Sequence, residues 1–251
     1  MSVIAGYNLN TNGLQLYLDA RNPTSYPGSG NTWYDLSTNV NNVSTGSMYY
    51  VNAGITSSFS SSYITGSNNT SSIDFYVPNL TTVATVEMVC RFNNYNWATN
   101  SSVTFGWDNY GVGFFPSNGF LHFFDASGAA TGVTLPYLGS SINGSQPVFG
   151  IWYYLVFEMN NGTIGPNSMV DNKMWVNGVQ QNLTSFGTPS LPNQNFNGGN
   201  GAISKYKQLN PIDYNYNGIN DYAFLRVYNR TLTQTEITNN YNYYKSTFNL
   251  Y

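Results

Sequence analysis

Apolar and polar residues alternate with a period of two along much of the chain. Leu14, Leu16 and Leu18 alternate with Gln15, Tyr17 and Asp19. Val86, Met88, Cys90 and Phe92 share one side of a strand, and Thr85, Glu87, Val89 and Arg91 the other. Tyr153, Leu155, Phe157 and Met159 oppose Trp152, Tyr154, Val156 and Glu158. Ala223, Leu225 and Val227 alternate with Phe224, Arg226 and Tyr228. This spacing predicts strands with one apolar face. Tyr49–Val51, Tyr63–Ile64, Ile73–Phe75, Phe120–Phe124 and Ala202–Ile203 read as further short strands. Asn118-Gly119 and Asn177-Gly178 read as hairpin turns, because both residue types accept the positive φ of a tight turn. Val103–Trp107 and Val112–Phe115 flank another turn at Asp108–Gly111. Asn22 to Asn31 carries Pro23, Pro27, Gly28 and Gly30 and reads as a loop. Asp19 is expected to clamp the amides of that loop.

The alternation stops at Asn229-Arg230. Thr233 then stands three residues before Glu236, the spacing of a capping box. Leu232, Ile237 and Tyr241 fall near helical spacing. A short capped helix is marginal alone and must dock on the strands before it. No helical period precedes Thr233. The pattern therefore predicts an all-β chain, a two-sheet antiparallel sandwich of about a dozen strands closed by one short C-terminal helix. Residues 1–12 read as an N-terminal arm or edge strand, and 13–251 as a single domain with its first and last strands adjacent.

The run LRVYNRTLTQTEITNNYN resembles the closing strand and helix of concanavalin A-like (laminin G-like) jelly-roll domains. GLQLYLDARNPTSYPGSGNTWYDLS, Gly13 to Ser37, resembles their opening segment. Between them, TVEMVCRF resembles a core strand and KMWVNG a hairpin of the same domains, so the likeness covers nearly the whole chain. The sequence departs from the pattern at Phe59–Ile64, where the aspartates of the usual motif are missing. The resemblance implies a jelly-roll sandwich. Opening segments of this kind are common in phage, giant-virus and bacterial surface members, which implies a virion component. The fold itself carries many unrelated functions.

Composition narrows the chemistry. Charged residues make up 8% of the 251, against about a quarter in an average domain. The net charge is −3, with few and scattered Lys and Arg, so the basic footprint of a nucleic-acid binder is absent. No apolar run is long enough to insert in a membrane, and no signal peptide is read at the N-terminus. The single cysteine excludes a disulfide framework, and one His with one Cys excludes a His/Cys metal cluster. Calcium is the one cofactor left open, through Asp19 or through Asp108, Asp125, Asp171, Asp213 and Asp221, read as loop residues. Solubility rests on Asn, Ser, Thr, Gly and 22 Tyr, a surface suited to dense arrays or to sugars.

Glycoside hydrolysis needs two carboxyls roughly 5–10 Å apart. The E-x-D-x-E string of laminarinase-like enzymes is absent, and Glu236 is taken by the helix cap. Glu87 and Glu158 would converge near Arg91 if their strands were neighbours, as a catalytic pair or as ordinary ion pairs on the sheet face. His122 lies in an apolar strand with no nucleophile elbow nearby. Sugar or partner contact falls to aromatics in Asn-rich loops: Tyr95, Trp97, Trp107 and Tyr110 with Asp108, and Tyr214 with Tyr216. The expectation is that the chain is not an enzyme but a virion structural, decoration or attachment protein. Its partners would be other virion proteins or itself, in a homo-oligomer or array. The alternatives are a carbohydrate-binding lectin on a cell or particle surface and a degenerate glycoside hydrolase.

Overall fold

The computed structural model describes residues 9–46, 48–52, 55–56, 59–60, 62–66, 73–78, 80, 83–94, 102–107, 110–115, 120–125, 130–134, 150–159, 163–164, 172–186, 194–195, 200–204 and 219–250. Some strands are described by their backbone only, including Ser102–Trp107, Tyr110–Phe115, Phe120–Asp125 apart from Leu121, and Ala130–Thr134. The first half holds β1 (Leu14–Asp19), β2 (Thr32–Trp33), β3 (Val43–Ser44), β4 (Met48–Val51), β5 (Ile55–Thr56), β6 (Phe59–Ser60), β7 (Tyr63–Gly66), β8 (Ile73–Tyr76), β9 (Ala84–Asn94), β10 (Ser102–Trp107), β11 (Tyr110–Phe115) and β12 (Phe120–Asp125). The second half holds β13 (Ala130–Thr134), β14 (Trp152–Met159), β15 (Thr163–Ile164), β16 (Lys173–Val176), β17 (Val179–Gln180), β18 (Thr184–Phe186), β19 (Gln194–Asn195), β20 (Asn200–Ile203), β21 (Ile219–Tyr228) and helix α1 (Gln234–Phe248).

Two antiparallel sheets carry the architecture. One has eight strands in the order β17-β16-β14-β9-β21-β7-β4, with β1 also paired to β21. The other has seven, in the order β18-β13-β12-β11-β10-β20-β8. Alternation explains the core between them. Val86, Met88, Cys90 and Phe92 of β9, with Tyr153, Leu155, Phe157 and Met159 of β14, face Ile73, Phe75, Leu121 and Ile203 of the second sheet. The first and last strands are paired, Leu18 opposite Leu225 and Tyr17 opposite Arg226. The chain is thus an all-β sandwich with one C-terminal helix.

Bulges modify the alternation. The β21–β9 register shifts between Tyr222 and Phe224, which turns Tyr222 into the core and Ala223 outward beside Phe224. The expected apolar row Ala223, Leu225, Val227 is therefore Tyr222, Leu225, Val227. A second shift between Leu14 and Leu16 takes Leu14 out of the row of Leu16 and Leu18. The hairpin of β10 and β11 is tighter than the spacing predicts, since Tyr110 and Gly111 already pair with Trp107 and Gly106. Asp125 and Asp221 lie in strands rather than loops.

α1 forms a third layer on the outer face of the eight-stranded sheet. Its Ile237, Tyr244 and Phe248 pack with Val89, Tyr154, Val156, Trp175 and Phe224. The capping box forms as the sequence predicts: Thr233 Oγ1 accepts from the Glu236 amide at 3.2 Å, and Glu236 Oε2 accepts from the Thr233 amide at 2.7 Å. Asn249 ends the helix in the left-handed region at φ 50°. The opening loop is clamped chiefly by Asp35. Its carboxylate accepts from the amides of Tyr17, Ser37 and Asn41, each at 2.8 Å. Asp19 accepts only the Arg21 amide from the backbone and spends its oxygens mainly on the Arg21 side chain.

Candidate functional site

Most of the sequence-predicted contact residues fall outside the described set. Tyr95, Trp97, Asp108, Tyr214 and Tyr216 are among these. Trp107 and Tyr110 are placed by their backbone, opposite each other at the mouth of the β10–β11 hairpin, with Gly201 and Asp125 as their outer partners. Asp108, Asp171 and Asp213 also lie outside it, and Asp221 is spent on Arg91. Among the described residues no group of three or more His, Cys, Asp or Glu could hold a metal ion, and no helix is long and apolar enough to cross a membrane.

A different site emerges where β1 ends. Ala20 donates to Ala223 O at 2.9 Å and the chain then leaves the sheet. The next turn is fixed locally: Tyr26 N donates to Asn22 O at 2.8 Å, and Ser25 Oγ donates to Tyr34 O at 2.6 Å while accepting from Asp19 N. Tyr26 is thereby tucked under the loop, its hydroxyl donating to Gly30 O at 2.6 Å. Gly28 and Gly30 both have φ 89°, a conformation that only glycine takes freely. Facing the loop, β4 contributes Tyr50, and Asn52 follows the strand. The Tyr26 and Tyr50 rings lie 4.9 Å apart at 34°. Between loop and strand runs a groove of about 400 Å³, lined by Arg21, Pro23, Tyr26, Pro27, Gly28, Tyr50 and Asn52. Pro27, Gly28 and Asn52 are exposed at its rim. The loop and the strand were each legible in the sequence. Their meeting was not, because it depends on how β1 and β7 share the edge of β21.

The charge in the lining, that of Arg21, is already paired. Arg21 Nε and Nη2 donate to the two oxygens of Asp19 at 2.8 and 2.5 Å. Its guanidinium also lies 4.8 Å from the Tyr244 ring centre and 5.5 Å from that of Phe248. Burial alone would push the Asp19 carboxyl up, but the Arg21 charge and its hydrogen bonds outweigh burial and hold it below the usual range. Burial, with Asp19 adding to it, lifts the Tyr17 hydroxyl to about 12.

β9 and β14 are indeed neighbours, with Glu87 opposite Val156 and Glu158 opposite Thr85. Their two glutamates nonetheless do not face each other across a cleft. Glu87 is fully buried under α1, held by Arg226 Nη1 at 3.1 Å, Tyr154 Oη at 2.7 Å and Asn240 Nδ2 at 2.8 Å. Glu158 pairs with Lys173 at 3.1 Å. Arg91, expected near Glu87, pairs instead with Asp221 at 2.6 Å, with Tyr63 and Trp152 beside it.

No family model and no curated protein sequence matches the chain. Solved structures do. A Trypanosoma rangeli sialidase in complex with sialic acid matches with a TM-score of 0.60 at 12% identity, over 94% of this chain and 34% of the sialidase. The binding domain of botulinum neurotoxin serotype G matches with 0.57 at 14%, over 93% of this chain and 52% of that one. The binding domain of Paraclostridial Mosquitocidal Protein 1 matches with 0.52 at 16%, over 93% and 53%. The chain thus spans about a third of the sialidase and about half of each toxin domain. These likenesses show the fold: a jelly-roll sandwich shared with the matched parts of a sialidase and of toxin binding domains. They also correct one expectation. Sialidases are enzymes, so the reading of the chain as no enzyme does not stand.

Proposed function

We propose that this chain binds carbohydrate through the Tyr26–Tyr50 groove, and that it does so as an attachment or decoration module on a virus particle or cell surface. The observation that carries the reading is the groove itself: a half-buried Tyr50 ring, backed by the buried Tyr26, with exposed Pro23, Pro27 and Asn52 around it, in an open cleft of sugar-sized volume. Sugars present apolar C–H faces to aromatic rings and hydroxyls to neutral amides, and sites of this make-up are the usual small-molecule seats. The particle context is supported by the opening and closing strings, as is assembly with other particle proteins or into a homo-oligomer. A glycan array followed by titration calorimetry tests the sugar site. Tyr50→Ala or Asn52→Ala should weaken a captured glycan about tenfold, close to 1.4 kcal/mol, with the circular dichroism unchanged. Undiminished affinity in both variants, or no glycan captured at all, would remove the groove as the site.

The likeness to sialidases favours glycoside hydrolysis as a second reading. Release of chromophore from a panel of aryl glycosides, sialosides included, is its test. Light scattering with and without calcium tests the oligomer and reports any use of the loop aspartates.

A further inference from the structure

Charge pairing in this molecule has a consequence for which sugars the groove can hold. The chain has four arginines, and each is joined to a carboxylate: Arg21 to Asp19, Arg91 to Asp221, Arg226 to Glu87 and Arg230 to Glu236. Arg21 is the one charged residue lining the groove among the described residues. A carboxylate is gripped best by the flat fork of a guanidinium, two parallel N–H groups to two oxygens. In Arg21 the Nε–Nη2 edge of that fork already holds Asp19. The group is also fixed in place, its side chain only 9% exposed and packed against Tyr244 and Phe248. It cannot swing to a second anion without abandoning a buried aspartate. An incoming carboxylate would meet a neutral pair, with the Asp19 charge close behind it. The remaining described lining, Pro23, Tyr26, Pro27, Gly28, Tyr50 and Asn52, carries no charge. A hydroxyl needs no such counter-charge. It can take a single hydrogen bond from the remaining Nη1 donors of Arg21 at little desolvation cost.

We infer that the groove selects neutral sugars and rejects carboxylate-bearing ones such as sialic or uronic acids. This rests on the groove being the sugar site proposed above. Selectivity of this kind comes from a disfavoured like charge as much as from a favoured contact.

The test compares the whole chain on matched pairs: a neutral oligosaccharide, the same core capped with sialic acid, and the methyl ester of that capped form, all at physiological salt. The expected result is that the neutral core binds, the acidic cap weakens binding at least tenfold, and the ester recovers most of it. Asp19→Asn, which releases the Arg21 fork, should narrow the gap between neutral and acidic ligands. If that variant does not fold, the three-ligand comparison on the unaltered chain decides alone. Equal or tighter binding of the acidic form, still lost in Tyr50→Ala, would overturn the selectivity while leaving the groove in place. Acidic and neutral binding both insensitive to Tyr50→Ala, or no glycan binding at all, would overturn the groove and the selectivity together.

Discussion

At the scale of single residues, the ion pair beneath the helix is the most exacting feature. Arg226 and Glu87 are both fully buried. The guanidinium lies 4.4 Å from the Tyr17 ring centre and 4.5 Å from that of Phe224, and donates through Nη2 to the hydroxyls of Tyr17 and Tyr244. Desolvating two charges is expensive, and their attraction repays it only when both are present and hydrogen-bonded. Glu87→Ala should therefore cost about 3–5 kcal/mol by leaving the guanidinium buried without its counter-charge, read as a lower urea midpoint. Replacing Glu87 and Arg226 together by apolar residues should cost clearly less than Glu87→Ala. A double variant as unstable as the single one would show that packing, not pairing, sets the loss. The sequence placed both residues on the non-core faces of their strands, which is correct. It could not pair them, since they are 139 positions apart and only the docked helix makes that face an interior.

At the scale of elements, the ends of α1 and the hairpin that supports it were the most legible. A Thr-x-x-Glu spacing and an Asn-Gly pair each encode local geometry, so their meaning does not depend on the rest of the fold. Glu236 also pairs with Arg230 at 2.7 Å, and that hydrogen-bonded pairing, with the cap contacts, holds its carboxyl down at about 2. A carboxyl whose folded value is depressed contributes fully above its ordinary range, near 4.5, and loses that contribution as the pH falls towards 2. Unfolding curves at pH 7 and pH 3 should show Glu236→Gln less stable than the parent at pH 7, by about 1 kcal/mol, with the gap closing at pH 3. Thr233→Ala should show a similar loss at pH 7. In the hairpin, Asn177 at φ 50° and Gly178 at φ 79° form the turn between β16 and β17. A Cβ on Gly178 would stand 2.9 Å from the Tyr241 ring of the helix. Gly178→Ala should thus cost about 1 kcal/mol or more, through left-handed backbone strain and the displaced helix contact, seen as a fall in melting temperature. The bulges at Ala223 and Leu14 left no comparable trace. A slip of one residue inside an apolar run exchanges one hydrophobe for another and keeps the pattern intact.

At the scale of the whole molecule, the eight-stranded sheet is covered on both faces. One face packs on the seven-stranded sheet and the other on the helix, so its strands carry apolar side chains on both sides. This explains why the second face of β14, with Trp152, Tyr154 and Val156, is as apolar as the first, a pattern that from sequence alone suits an outer sheet face or a partner contact equally well. It is the edge left where β1 gives way to β7 on β21 that brings Tyr26 and Tyr50, distant in sequence, into ring contact. The helix layer has a measurable consequence. A chain ending after Asn229 would expose Val89, Tyr154, Val156, Trp175 and Phe224 together with the charges of Glu87 and Arg226. An apolar face that also carries unpaired charges can neither stay buried nor be well solvated. Such a chain is expected to lose its cooperative unfolding transition and to bind the dye ANS strongly at neutral pH. Adding residues 230–251 back as a separate peptide should restore neither property fully, because a helix of 15 residues is scarcely formed before it docks. A truncated chain that unfolds cooperatively and excludes the dye would show instead that the two sheets alone carry the stability, and that the helix with its buried ion pair is an addition to a sandwich already complete.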